Sequence, residues 1–138
     1  MTGITILVTV LIAATAFGLF YRSRAGKVRA TTAAEASPEI RTRLIAAGAA
    51  SGTAVVLHFS ADWCGPCAAV RRVVGQVLAD TDDAVELELD IDANPELARD
   101  FGVLSLPTTF VLDDALVERA RISGVPKADA LRSALADL

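Results

Sequence analysis

The stretch from Val55 to Cys67 constrains the fold more than any other part of the sequence. It reads V-V-L-H-F-S-A-D-W-C-G-P-C, a run of β-forming residues followed by two cysteines with two residues between them. After Cys67, apolar residues recur at helical spacing as far as Leu78. This pattern predicts a buried strand, then a helix, with the cysteine pair at the junction between them.

Cys64 and Cys67 are placed for thiol–disulfide exchange. Cys64 precedes the first helical turn, where unpaired N–H groups and the positive end of the helix dipole favour a thiolate. Cys67 is about one turn further on and is expected to be more enclosed. We therefore interpret Cys64 as the nucleophile and Cys67 as the resolving thiol. A packing pair or half of a zinc site is the alternative, but zinc needs two more ligands, and His58 is the one further candidate in the sequence.

At these residues the chain resembles the thioredoxin family. The resemblance rests on W-C-G-P-C at 63–67, D-I-D-A-N-P at 90–95, F-G-V at 101–103 leading to L-P-T at 106–108, and Gly124 before the last helix. It implies an α/β thioredoxin fold, in which helices flank a central mixed β-sheet. It also implies a protein-disulfide reductase that acts on protein disulfides, receives electrons from a thioredoxin reductase-like donor, and needs no cofactor beyond its redox-active cysteine pair.

The resemblance further implies a set of substrate-binding residues. Pro107 matches the family's cis-proline, which faces the cysteines and presents neighbouring backbone to a substrate strand; an ordinary trans proline at a strand start is the alternative. Trp63 is expected to be a partly exposed apolar lid rather than a core aromatic. Gly124 is expected to allow close approach of a peptide, or simply to form a turn. The predicted substrate-binding residues are Trp63, Gly65, Pro66, Leu106, Pro107 and Gly124.

His58 departs from the family's pattern. Thioredoxins usually carry a buried Asp at this position, which handles the proton of the resolving thiol, and a lysine beside it where this chain has Glu88. We hypothesise that His58 and Glu88 form an acid–base pair of reversed polarity beneath Cys67, since imidazole transfers protons near neutral pH. The alternative is a hydrogen-bonded core histidine without a kinetic role.

Residues 1–21 carry no charged side chain. As a helix, residues 4–21 would span roughly 27 Å, about the thickness of the hydrocarbon core of a bilayer. We predict an uncleaved transmembrane anchor at residues 1–21. A signal peptide cleaved near A-T-A at 14–16 is the alternative, although the M-T-G start lacks the basic segment of such peptides. Four basic residues follow the span, so the positive-inside rule places the rest of the chain in the cytoplasm.

We expect a basic collar and tether at residues 22–36 and the thioredoxin domain at residues 37–138. Within the tether, residues 27–31 are a weak candidate for an edge strand. The net charge is −4 for the whole chain and +4 for the collar, so residues 30–138 sum to −8. An acidic domain disfavours nucleic acid as a partner, whereas the collar suits anionic lipid headgroups. The collar comprises Arg22, Arg24, Lys27 and Arg29.

Two further interpretations of function stay open, and a monomer is expected in each. In one, the domain lies outside the cytoplasm and reduces exported proteins. In the other, it is a metal-binding or adaptor module that uses the C-x-x-C for soft-metal capture. No structural disulfide is available, because both cysteines lie in the motif. The pattern predicts helices at 38–47, 65–78 and 95–101 and from about residue 126, with strands at 53–59, 85–89, 108–112 and 116–122.

Overall fold

The protein's structure is a computed structural model that describes residues 2–24, 26–31 and 37–138. Every helix and strand that the sequence pattern predicts is present, with bounds shifted by at most three residues. In chain order the elements are α1 (Thr2–Arg24), β1 (Val28–Ala30), α2 (Pro38–Ala46), β2 (Ala54–Ser60), α3 (Cys67–Leu78), β3 (Ala84–Asp90), α4 (Pro95–Asp100), β4 (Thr108–Leu112), β5 (Glu118–Ser123) and α5 (Ala128–Ala136).

The strands form one mixed sheet in the order β1-β5-β4-β2-β3. β2 and β3 are parallel, and the other neighbouring pairs are antiparallel. Alternation along β2 places Val55, Leu57 and Phe59 in a core with α2 and α4. Val56 faces the opposite way and packs against valines of α3 and residues of α5. The sheet is therefore covered by helices on both faces, as expected for an α/β fold.

Local sequence signals explain where α2 begins. Ser37 is its N-cap, and its hydroxyl oxygen accepts a hydrogen bond of 3.3 Å from the backbone N–H of Ile40. Pro38 follows at the first helical position, where its missing N–H costs nothing. Leu44 is fully buried against the sheet. The helix thereby covers the face of β2 that carries Phe59.

The first strand of the sheet lies within the segment predicted as collar and tether, where the sequence offered residues 27–31 as a weak candidate for an edge strand. β1 pairs with β5 in antiparallel register, with Val28 opposite Ile122, so residues 28–30 belong to the sheet. Gly26 precedes this strand with φ +75°, and its N–H donates a hydrogen bond of 2.8 Å to the carbonyl oxygen of Ser123. Residues 32–36, also assigned to the tether, lie outside the described residues.

α1 is an apolar helix, and its apolar segment is not buried by any described part of the domain. Its segment Gly3–Tyr21 is 19 residues long with a mean hydropathy of 2.3. Within it, the hydroxyls of Thr9 and Thr15 donate hydrogen bonds to backbone carbonyls one turn earlier, at 2.8 and 2.7 Å. By length and composition the helix suits a membrane span, and a signal sequence meets the same criteria.

Candidate active site

The two cysteines form a disulfide at the junction of β2 and α3. Cys64 and Cys67 have an S–S distance of 2.03 Å and a Cα–Cα distance of 5.5 Å. The helix begins at Cys67, two residues later than predicted, and Pro66 occupies its N-cap position. Cys64 therefore lies in the loop ahead of the helix and is half-buried, whereas Cys67 is fully buried. The expected difference in enclosure between the two sulfurs is confirmed.

The predicted substrate-binding residues lie on loops that share one edge of the sheet. β2 and β4 are in register at Phe59 and Thr108, and Thr108 is in turn opposite Ser123 of β5. The chain therefore leaves β2 towards the cysteines at the same edge where Pro107 leads into β4. The Leu106–Pro107 peptide bond is cis, as expected. The carbonyl oxygen of Pro107 accepts a hydrogen bond of 2.8 Å from Gly124 N–H, which joins the two loops.

Trp63 is exposed, so it is not a core aromatic. Its side chain is 70% exposed, and its indole N–H donates a hydrogen bond of 3.3 Å to the carboxylate of Asp92. The ring lines a shallow groove together with Leu104, which is 97% exposed. Sequence reasoning missed Leu104, because a single leucine after a helix end gives no periodic signal. The apolar surface beside the cysteines is thus wider than Trp63 alone.

His58 is fully buried, but its partner is not the predicted one. Its Nε2 lies 2.8 Å from a carboxylate oxygen of Glu86, two residues before Glu88 on the same face of β3. Since a carboxylate accepts, Nε2 carries the proton and donates to Glu86. The strands do pair His58 with Glu88 at the backbone, as predicted from the sequence. The side chain reaches past that position to Glu86.

Arg71 explains why Glu88 is not the partner of His58. From α3, its guanidinium donates three hydrogen bonds of 2.6 to 2.8 Å to the Glu88 carboxylate. The pKa of Glu88 is lowered to about 2, mainly by the hydrogen bonds from Arg71, with smaller contributions from the hydroxyl of Ser60 and from nearby His58, and against the opposing effect of partial burial. The same contacts raise the pKa of Arg71. Glu88 is therefore an anchored anion rather than an acid–base group near neutral pH.

This ion pair predicts how stability depends on acid. Because the pKa of Glu88 is about 2 in the folded chain and 4.5 for an unperturbed glutamate side chain, its contribution is fully present above pH 4.5 and is lost as the pH falls towards 2. We expect Glu88→Gln to cost about 1 kcal/mol at pH 7, after allowance for partial exposure, and almost nothing near pH 2. Urea unfolding at both pH values measures this, with the exposed loop residue Asp82 (Asp82→Asn) as the control. An equal cost at both pH values would contradict the assignment.

Two buried polar atoms on this face of the sheet have no hydrogen-bond partner within the described part of the chain. They are Nδ1 of His58 and Oγ1 of Thr109, residues that face each other across β2 and β4. With Nε2 donating to Glu86, Nδ1 of a neutral imidazole is an acceptor without a donor. Alternation from Val56 places His58 on the sheet face that α3 covers, at the end of β2 nearest the cysteines. A buried imidazole nitrogen without a partner among the described residues thus lies on the sheet face that α3 covers, near the cysteine end of β2.

The same neighbourhood contains a possible metal-ligand cluster among the described residues. Ligand atoms of His58, Glu86 and Glu88 lie within 4.8 Å of one another. The guanidinium of Arg71 already supplies positive charge at Glu88, and Glu86 already accepts the proton of His58. The cluster is therefore neutralised by protein groups, and its geometry is explained without a metal.

The known proteins that this chain resembles in sequence and in structure are thioredoxins. The family described as Thioredoxin matches residues 42–137. A thioredoxin of Mycolicibacterium smegmatis is 36% identical over 85 residues, which cover 59% of this chain and 76% of the relative. The structure of a mutant thioredoxin from Halobacterium salinarum superposes with a TM-score of 0.56 at 34% identity, covering 62% of this chain and 74% of that one.

Mitochondrial thioredoxin 3 from Saccharomyces cerevisiae, in its oxidized form, superposes with a TM-score of 0.59 at 25% identity, covering 72% of this chain and 88% of that one. The matched family region contains the cysteine pair, the cis-proline loop, the last strand and Gly124. The mixed sheet with helices on both faces agrees with these structures. The chain belongs to the thioredoxin family of thiol–disulfide oxidoreductases.

Proposed function

We propose that this chain is a membrane-anchored protein-disulfide reductase whose thioredoxin domain faces the cytoplasm. One observation carries the chemistry: an accessible Cys64 lies in a loop ahead of α3, next to a fully buried Cys67 with which it forms a disulfide. A partly exposed nucleophile beside an enclosed resolving thiol is the arrangement that dithiol exchange requires. The Gly-Pro pair between the cysteines is typical of thioredoxins that reduce their substrates.

The proposed reaction is a two-step exchange. The Cys64 thiolate attacks one sulfur of a substrate disulfide, forms a mixed disulfide and releases the other substrate sulfur as a thiolate. Cys67 then loses its proton and attacks Sγ of Cys64, which releases the second substrate thiol. Two electrons pass to the substrate, and the Cys64–Cys67 disulfide remains. A thioredoxin reductase-like donor would restore the dithiol.

We assign the proton of Cys67 to His58. The buried Nδ1 has no partner among the described residues, so it can accept the proton when Cys67 ionises. Glu86, 2.8 Å from Nε2, would stabilise the imidazolium that results. This repeats in outline the way a carboxylate supports a catalytic histidine in hydrolases. Glu86 replaces Glu88 in the acid–base pair predicted from the sequence.

This assignment predicts a specific kinetic defect in His58→Gln. Glutamine can still donate a hydrogen bond towards Glu86 but cannot take up a proton, so the second exchange step should slow by about 10² to 10³-fold near neutral pH. The loss should shrink at alkaline pH, where Cys67 ionises unaided. Stopped-flow release of substrate thiol between pH 6 and 9 measures the profile. Thr109→Val is the control, because it removes the neighbouring hydroxyl and leaves the hydrogen bond between His58 and Glu86 in place. A uniform rate loss at all pH values would indicate a structural role for His58 alone.

The apolar helix and the collar support the membrane placement. α1 is long and apolar enough to span a bilayer and remains unburied by the described part of the domain. Four basic residues follow its apolar segment, and exposed Lys27 and Arg29 extend the positive charge into β1. Positive charge on this side favours retention of the domain in the cytoplasm. Predicted substrate-binding roles for Trp63, Leu106, Pro107 and Gly124 are part of this proposal.

Three assays test the proposal. Membranes that contain the full chain should catalyse dithiothreitol-driven insulin reduction, and alkaline carbonate should leave the chain in the membrane pellet. A reporter active only in the cytoplasm should function when fused after Leu138, and one active only outside should fail. The reverse reporter result would favour the extracytoplasmic alternative, in which exported proteins are substrates. Failure to reduce insulin, with stoichiometric Cu(I) or Zn²⁺ binding, would favour the metal-binding alternative.

A further inference from the structure

The anchor helix joins the domain at the edge of the sheet where the cysteines lie. β1 is antiparallel to β5, so the start of β1 lies beside the end of β5. The end of β5 pairs with the start of β4, and the start of β4 pairs with the end of β2. Four strand ends therefore lie side by side at one edge of the sheet. β2 ends there before the cysteines and β5 ends there before Gly124. β4 begins there after Pro107, and β1 begins there after α1. β1 and β2 are three strand spacings apart, or roughly 14 Å.

The connection between α1 and this edge is short. The helix runs to Arg24, and Gly26 is already hydrogen-bonded to the carbonyl of Ser123, next to Gly124. From Tyr21 to Gly26 the chain can span at most roughly 12 Å, because three helical steps rise about 1.5 Å each and two further steps reach at most about 3.6 Å each. A Cβ at Gly26 would lie 2.5 Å from the carbonyl oxygen of Val125, so the backbone is closely packed there. The active-site edge is thus held close to the membrane end of the helix.

A groove connects the helix to the predicted substrate loops. Its volume is about 560 Å³. Aromatic residues of α1 form one wall, and the loops at Leu106 and Gly124, together with Arg29 of β1, form the other. Phe17 and Tyr21 on the helix wall are 71% and 73% exposed. A tyrosine at the end of a span, as Tyr21 is here, prefers the membrane–water interface. The groove lies between Phe17, Phe20 and Tyr21 on the helix and Leu106, Ser123 and Gly124 on the loops.

We propose that the substrate is an integral membrane protein whose disulfide lies within a few residues of the bilayer surface. The inference rests on the proposed function, because it names the substrate class of the same cysteine pair. An extended segment leaving the bilayer would lie between the aromatic wall of α1 and the loops around Leu106 and Gly124. It would then present its disulfide to Cys64 at the same edge. The redox step is unchanged: the substrate disulfide gains the two electrons that the cysteine pair loses.

The position of the groove determines which kind of substrate segment can occupy it. One wall belongs to a helix end at the depth of the lipid headgroups, so a segment filling the groove must itself lie at that depth. Its apolar side chains would contact the aromatic wall in place of lipid. A disulfide far from the bilayer would have to bend back towards the surface to reach Cys64. Confining both partners to one plane at the correct height raises their effective concentration without any new contact.

The test uses the full chain in vesicles of phosphatidylcholine and phosphatidylglycerol. The cysteine pair is first reduced, and the excess reductant is then removed. Two single-span peptides carry the same disulfide loop, one about four residues from the span and one separated by a flexible spacer of about twenty residues. We expect the near disulfide to be reduced about tenfold faster than the distant one at equal peptide density. Trapping thiols with a maleimide polymer and resolving the products by gel gives both rates.

Two insertions provide a matched pair. A flexible insertion of about ten residues after Ala25 lengthens the connection and should remove the preference. The same insertion after Ala34, between β1 and α2, should leave it intact. Equal rates for the two peptides, or a preference that survives the Ala25 insertion, would overturn the inference. Insulin reduction in detergent distinguishes failure of the proposed function from failure of the inference about the substrate. If insulin is not reduced, the proposed function is refuted. If insulin is reduced normally but the two peptides react at equal rates, only the inference is refuted.

Discussion

Cys64→Ser will reduce the rate of insulin reduction by at least about 10³-fold, because a serine hydroxyl is not ionised near neutral pH and cannot attack a disulfide. Cys67→Ser should behave differently. Cys64 can still perform the first attack, but no thiol remains to resolve the product, so the chain should accumulate as a mixed disulfide with its substrate. Initial rates and intact-mass analysis after mixing with oxidised insulin measure both outcomes.

The control for these variants is the reduced wild-type chain. The disulfide closes a loop of only four residues, counting both cysteines, so its loss removes little chain entropy and both variants should fold. Their circular dichroism and melting temperatures should match those of the reduced wild type. A trapped adduct on Cys64→Ser but not on Cys67→Ser would reverse the assigned roles of nucleophile and resolving thiol. That result would conflict with the burial of Cys67 and the accessibility of Cys64.

Strong local patterns made most of the fold predictable from the sequence. Ser37 followed by Pro38 marks the start of α2, and the apolar run into W-C-G-P-C marks β2 and the active-site helix. These signals operate within a few residues, so long-range contacts do not alter them. β1 gave only a weak signal because three residues at an exposed edge have little hydrophobic alternation, and its pairing with β5 depends on contacts far apart in sequence.

The partner of His58 shows where sequence reasoning ends. Strand register correctly places Glu88 opposite His58, but Glu86 lies on the same face of the strand. The choice between the two carboxylates is made by Arg71, which reaches Glu88 from α3. That contact depends on how the helix packs across the sheet, which no local pattern contains. The groove between α1 and the loop at Leu106 could not be predicted either, because its position depends on the pairing of β1 with β5.

Phe110→Ala should be the most destabilising single change in the core. The Phe110 ring is fully buried, with ring centroids 4.9 Å from Phe101 and 6.0 Å from Phe59, and the guanidinium of Arg121 lies 4.8 Å from its centroid. Truncation removes these contacts and leaves a cavity between β4 and α4. We expect a loss of about 4 kcal/mol in the free energy of unfolding, a large fraction of the stability of a typical domain.

Urea unfolding of the full chain in detergent micelles, followed by circular dichroism, measures this loss. Phe110→Leu keeps most of the apolar volume and should cost about 1 to 2 kcal/mol. Leu104→Ala removes a side chain that is 97% exposed and should change stability by less than about 0.5 kcal/mol. If Phe110→Ala were as mild as Leu104→Ala, the three-phenylalanine cluster would not hold α4 against the sheet. The loop that follows α4 carries Leu106 and Pro107 towards the cysteines, so loosening this cluster should also weaken substrate reduction before the domain unfolds.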